Sequence, residues 1–185
     1  GITDCRQSLF ERLIHWERSQ GRTRFIGILN RQGRMHPHIA RFPNEMFYAH
    51  EQLDVVPCPH QEEQQLDYNQ PSQDTLDDQL KAHRLLFFAV ENCENESPSD
   101  KANPAEARIV ARILGRIHRF YGNAFDANRT VGVIVPYRNQ IAMIRRELQK
   151  LGIAELNNIT IDTVERYQGS QRDVIVYSFT IAHRY

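Results

Sequence analysis

The chain has 185 residues, 23 Lys and Arg against 23 Asp and Glu, and 41% hydrophobic residues. That length fits one ordinary domain, or a domain plus a short extension, and is large enough to bury a core without covalent staples. Cys5, Cys58 and Cys93 lie far apart, which excludes a disulfide scaffold and a cysteine zinc site and fits a reducing, cytoplasmic setting. No apolar run approaches the roughly 20 residues of a membrane helix, so no membrane association is expected. Acidic and basic residues arrive at once after Gly1, unlike a secretory leader, and a start without Met fits an excised or processed piece.

The first predicted element is an amphipathic helix over residues 6–19. Ser8 and Glu11 have capping-box spacing, and Leu9, Phe10, Leu13 and Ile14 share a face. Gly21 and the polar run to Arg24 stop it. Phe25 to Leu29 reads as a short buried strand, and Pro37 opens a short helix carrying Ile39 and Phe42 that Pro43 closes. Residues 51–80 hold eight acids and no Lys or Arg, with Pro57, Pro59 and Pro71 as breakers. Such a stretch predicts a surface excursion that adds little to the core. Arg84 to Val90 reads as a second buried strand, and residues 91–102 as a loop.

Asn103, Pro104 and Glu106 mark the N-cap, first and third positions of the next helix. Ile109, Val110, Ile113, Leu114, Ile117 and Phe120 follow helical spacing, and Gly122 stops it. Arg108, Arg112, Arg116 and Arg119 form a stripe beside that apolar face. Val131 to Val135 is a strand ended by Pro136. A helix from about Arg138 to Gly152 follows, then short strands at Ile159–Thr163 and Val174–Phe179.

Strands thus alternate with helices and are continuously apolar, the pattern of an α/β fold with a mostly parallel sheet covered on both faces. Right-handed crossovers place the loops after each strand along one edge, where ligands bind. Three polar loops fall there: Asn30–Met35, Pro136–Gln140 and Thr163–Asp173. Arginines in the first suit bidentate contact with phosphate, or a solvated basic turn. The second begins a helix, whose N-terminus suits an anion or is a plain junction. In the third, a glycine permits close backbone approach to a ligand, and Asp173 calls for an arginine partner. His36 and His38 lack an acidic or cysteine companion at metal-ligand spacing, so no metal site is expected. None of the three lysines, Lys81, Lys101 and Lys150, follows a glycine. The chain therefore has no phosphate loop and should not hydrolyse a triphosphate alone.

Leu29–Tyr48, Val131–Gln140 and Ile161–Ser178 resemble three consecutive blocks of the superfamily 1 helicases. The subgroup is the one containing the nonsense-mediated-decay helicase and the replication helicase-nuclease. The segments at Ser8–Leu13 and Arg84–Asn92, with Asn103 and Glu106, are similar to further pieces of the same family. The resemblance implies that residues 24–185 are the second RecA-like domain of an ATP-dependent motor. Residues 1–23 would be a helix and linker from the preceding region. The phosphate loop and the Mg2+-binding acids would lie in a first RecA-like domain, and motif VI beyond Tyr185.

Carried over by position, Arg34 implies an arginine finger on ATP bound with Mg2+ between the two domains. Gln32, Gly169 and Gln171 imply further nucleotide contacts. Pro136, Tyr137, Arg138 and Thr163 imply the grip on single-stranded nucleic acid, and Asp173 a support for its loop. Three positions depart from the family pattern: Gly33 replaces an aromatic residue, Val135 a hydroxyl residue and Gln171 a glutamate. Gly33 and Gln171 keep open an alternative, a helicase-like module that binds nucleic acid or protein without ATP-driven motion. A flavodoxin-like or Rossmann-like domain is disfavoured by the lack of a Gly-x-Gly-x-x-Gly loop.

Overall fold

A computed structural model of the chain describes residues 7–50, 53–56, 68, 70–90, 101–167 and 170–180. Two compact units divide between Gln64 and Gln65.

The first unit opens with α1 (Leu9–Ser19). Its capping box forms as the sequence predicts: the Ser8 hydroxyl accepts the Glu11 N–H at 3.2 Å, and the Glu11 carboxylate accepts the Ser8 N–H at 3.3 Å. The chain leaves the helix at Gly21, whose φ of +66° is a conformation that L side chains rarely adopt. Strand β1 (Arg31–Gln32) pairs in parallel with β2 (Asp54–Val55), and α2 (Pro37–Phe47) connects them.

Two expectations are corrected in this unit. Phe25 to Leu29 joins no ladder among the described residues, and Phe25, Ile28 and Leu29 are exposed. A five-residue apolar run reads alike whether or not a layer covers it, and pairing starts only where β2 meets Arg31. Pro43 does not close α2 but sits inside it. The helix runs one turn further, and the Tyr48 N–H reaches the Asn44 carbonyl at 3.2 Å.

The second unit is built on a parallel sheet of β3 (Val131–Val135), β4 (Thr160–Thr163) and β5 (Val174–Tyr177), in the order β4-β3-β5. Val133 pairs with Ile161 on one side and Val176 on the other. This is the expected RecA-like α/β arrangement. Val131, Val133 and Val135 share one face of the central strand, where they join the core with α4 (Pro104–Tyr121) and α5 (Arg138–Leu151). Asn103 caps α4 through its side chain, bonded to the Glu106 N–H at 3.0 Å. Leu114, Ile117 and Phe120 of α4 and Ile144 and Leu148 of α5 are wholly buried. Each contributes about 1.5–3 kcal/mol of burial free energy. Gly152 ends α5 at φ +68°, as its position predicts.

On the opposite face, Tyr167 from α6 (Val164–Tyr167) lies over Gly132; a Cβ there would come within 1.5 Å of the Tyr167 Oη. Only β3 is as thoroughly buried as a parallel core strand should be. In β5, Val174 and Val176 turn inward while Ile175 and Tyr177 are exposed. The expectation of strands buried on both faces is therefore corrected for β5.

The acidic stretch differs most from its prediction. Its second half folds: α3 (Thr75–Ala82) starts at Asp74, whose carboxylate accepts the Asp77 N–H at 3.1 Å. Leu80 belongs to the core, with Leu76 and Tyr68 packed against it. Its acids meet the arginine stripe of α4. Arg116 bonds Asp74 at 2.6 Å and Asp77 at 3.3 Å, and Arg119 bonds Asp77. Charge that opposes packing within the segment is neutralised by charge 39 to 42 residues away. The predicted strand at Arg84–Val90 forms no ladder among the described residues. Leu86 and Phe88 nonetheless pack on the core while Leu85 and Phe87 stay exposed.

Candidate nucleotide and nucleic-acid interface

In the first unit, Gln32 ends β1 and its side chain builds the loop that follows. Its Oε1 accepts the N–H groups of Arg34 at 3.1 Å and Met35 at 2.8 Å, while its Nε2 donates to the Met35 carbonyl at 3.1 Å. The Gln32 amide thus fixes the backbone at Arg34. His36 caps α2 by accepting the His38 N–H on Nδ1 at 3.2 Å. Arg34 stands exposed on this braced turn.

In the second unit, register brings two of the sequence-predicted segments together. Val135 pairs with Thr163, so Thr163 at the end of β4 lies beside the strand end that Pro136 closes. Parallel neighbours are about 4.8 Å apart. Tyr137 caps α5 through its backbone, and Tyr137 and Arg138 are exposed there. The carboxyl edge of β3 and β4 therefore presents a helix N-terminus, a guanidinium, an aromatic ring and a hydroxyl. A helix start with free N–H groups attracts anions, and an aromatic face stacks on bases. Near them, Glu165 is exposed; its own backbone N–H and the Thr163 hydroxyl hold its carboxyl below the ordinary value.

The remaining predicted residues fall elsewhere. Gly169 lies outside the described residues. Gln171 is exposed, and its carbonyl accepts Arg172 Nη1 at 2.6 Å. By this point the loop has crossed to the amino edge of the sheet. Arg172 reaches Thr160 Oγ1 at 3.2 Å, and the Asp173 N–H reaches the Arg129 carbonyl at 3.1 Å. Gln171 is thus not gathered with Thr163. Asp173 has an arginine near it, as its position requires, but the arginine is Arg129: burial raises the Asp173 carboxyl, and Arg129 partly offsets that.

One cluster escaped the sequence reading. Behind the carboxyl edge, Glu106, Gln140, Ser178 and Thr180 are buried and joined by hydrogen bonds. Gln140 stands inside the Pro136–Gln140 loop, and Glu106 carries a helix-start signal and a piece of the family resemblance, but no local pattern joins the two. Their partners lie 37 to 74 residues apart, beyond any local pattern.

The chain belongs to the AAA domain family, whose model matches residues 5–184. It is 29% identical over 182 residues to the regulator of nonsense transcripts 1 homolog of Drosophila melanogaster, covering 93% of this chain and 13% of that protein. It is 26% identical over 161 residues to helicase SEN1 of Saccharomyces cerevisiae, covering 82% and 6%. It is 28% identical over 187 residues to an uncharacterized ATP-dependent helicase of Methanocaldococcus jannaschii, covering 95% and 24%. These relatives bear out the resemblance to superfamily 1 helicases of the nonsense-mediated-decay type. The chain spans a quarter or less of each of the three.

Proposed function

We propose that the chain is the second RecA-like motor domain of an ATP-dependent helicase, acting with a first RecA-like domain of the same protein. In this reading Arg34 is the arginine finger. The Gln32 brace fits that task, because it fixes the backbone from which the guanidinium extends. A planar fork held on a short turn suits a phosphate edge, and ATP with Mg2+ would supply the phosphoryl group to be hydrolysed. Gln32 serves the nucleotide by shaping the turn. Gly169 and Gln171 remain proposed nucleotide contacts on sequence position.

The observation that carries the nucleic-acid half is the register of Val135 with Thr163, which gathers Pro136, Tyr137, Arg138 and Thr163 at one sheet edge. Arg138 pairs with a phosphate, the α5 N-terminus faces a second, and Tyr137 stacks on a base of a single strand. The test is binding of a fluorescent oligo-dT or oligo-U to the 185-residue chain. Arg138→Ala should weaken binding and flatten its salt dependence by about one ion. Tyr137→Ala should cost about 1–3 kcal/mol with the salt slope unchanged. Unchanged binding in both variants would refute the interface. A helicase-like binding module is the second reading, favoured by Gly33 where relatives of this type are expected to carry an aromatic residue. It predicts single-strand binding without nucleotide dependence in the whole protein.

A further inference from the structure

The buried polar cluster at the carboxyl edge joins three elements that are distant in sequence. The Asn103 N–H donates to Gln140 Oε1 at 2.8 Å, and Gln140 Nε2 donates to the Asn103 carbonyl at 3.1 Å. The same Nε2 donates to Ser178 Oγ at 3.2 Å. Ser178 Oγ donates in turn to Glu106 Oε1 at 2.8 Å, and that oxygen also accepts the Thr180 N–H at 3.2 Å. Gln140 and Ser178 have no exposed surface.

This arrangement does more than satisfy polar groups. An amide of this kind has two donors and one acceptor oxygen, and here both donors and the oxygen are used. Its partners all lie outside α5, so they fix where the first turn of α5 stands and not merely its local helicity. Thr180 has φ 56°, the one described non-glycine residue with positive φ. A β-branched residue is strained there, and such strain persists only where surrounding bonds hold it. Glu106 provides that bond. The chain leaving β5 is thus held in a kink by the same carboxylate that, through Ser178, holds the turn after β3.

We propose that Gln140, Ser178 and Glu106 are positioning residues that lock the Pro136–Arg138 turn to the Thr180 kink, so that the nucleic-acid grip and the exit of β5 move as one body. Ser178 is the side-chain link, since its hydroxyl joins the Gln140 amide to the Glu106 carboxylate, whereas Asn103 meets Glu106 at the Glu106 backbone N–H. None of the three needs to touch ligand. The grip's function rests on the nucleic-acid reading given above; the mechanical lock does not.

Two variants of the full 185-residue chain test this. Gln140→Ala strips the side-chain bonds to Asn103 and Ser178 and risks misfolding. Ser178→Ala keeps the Gln140–Asn103 pair and cuts only the link. Ile144→Val, a core change on the same helix, serves as a control of similar stability loss. Amide hydrogen exchange should show faster exchange at both Asn103 and Thr180 in Ser178→Ala, beyond any change in the control. Oligo-dT affinity should fall about fivefold in Ser178→Ala, the factor that one neutral hydrogen bond carries, and stay unchanged in the control. Exchange at Asn103 that matches the control overturns the lock, as does equal affinity loss in both variants. If the wild-type chain binds no oligo-dT, the nucleic-acid reading fails, and the exchange data alone decide the lock.

Discussion

Replacing Asp77 by alanine should cost the second unit about 3 kcal/mol. The carboxylate has no exposed surface. One oxygen accepts the Gln73 N–H at 2.7 Å and a bond from Arg119; the other accepts Arg116 Nη1 at 3.3 Å. Removing one partner of a buried ion pair costs about 3–5 kcal/mol, because the other charge is left uncompensated. Here the loss falls at the lower end. The Arg116 and Arg119 side chains keep 20% and 26% of their surface in solvent, and Asp74 still holds Arg116. For a chain of this size, each kcal/mol moves the Tm by about 2–4 °C, so a drop of about 6–12 °C is expected in thermal unfolding at neutral pH.

The pH dependence gives a second, independent reading. Burial alone would raise the Asp77 carboxyl, but the Gln73 N–H and the Arg119 and Arg116 guanidiniums outweigh it and hold the group below its ordinary value. The unfolded state then binds the proton more readily than the folded state. The contribution is fully present above the unfolded pKa of about 3.9 and is lost as pH falls through the lower folded value. The stability gap between wild type and Asp77→Ala should therefore narrow on acidification below about pH 4. A gap under about 1 kcal/mol at neutral pH would show that α3 is not part of the cooperative unit. A gap that stays constant in acid would show that Asp77 acts by packing alone.

Two further predictions concern the face of the sheet opposite α4 and α5. Gly132→Ala should cost about 2–3 kcal/mol in urea unfolding, since the new methyl would lie 2.5 Å from Tyr167 Cζ as well as 1.5 Å from its Oη. Tyr167→Phe should stabilise the chain by about 1 kcal/mol, because the buried Oη has no hydrogen-bond partner among the described residues. The phenylalanine should not rescue Gly132→Ala, as the ring carbon stays in place; full rescue would place the clash at the hydroxyl alone.

Local signals proved legible where a single element contains its own explanation. The capping box at Ser8, the Asn103–Pro104–Glu106 start of α4 and the Gly152 stop of α5 formed as their spacing requires. Sheet strands could be read where apolar residues are flanked by punctuators, as at Val131–Val135 before Pro136. Local signals are silent where long-range partners decide. Residues 74–80, within the acidic stretch, read as surface excursion because their neutralising arginines are on α4. Phe25–Leu29 looks buried because an apolar run carries no record of whether another layer covers it. Both halves of the Asp77 network were nonetheless visible, as an acid-only stretch and a spaced arginine stripe. Charge segregation between segments is thus a contact signal even when each segment alone reads as solvated surface.

The same distinction governs the candidate site. Tyr137, Arg138 and Gln140 follow one strand within four residues, and sequence treats them as one polar loop. Burial separates them. Tyr137 and Arg138 present their side chains to solvent, whereas Gln140 turns inward and spends its amide on Asn103 and Ser178. The first pair is free to meet a ligand; the third is already committed to the fold. An exposed guanidinium on a loose turn would sample many positions and lose entropy on binding. Anchoring the turn from behind removes part of that cost before any ligand arrives. The Gln32 brace behind Arg34 follows the same logic in the first unit, with an amide side chain fixing the backbone beside an exposed arginine. In both loops the exposed residue proposed to meet ligand and the buried or braced residue that places it are neighbours in sequence, and the hydrogen-bond partners tell which is which.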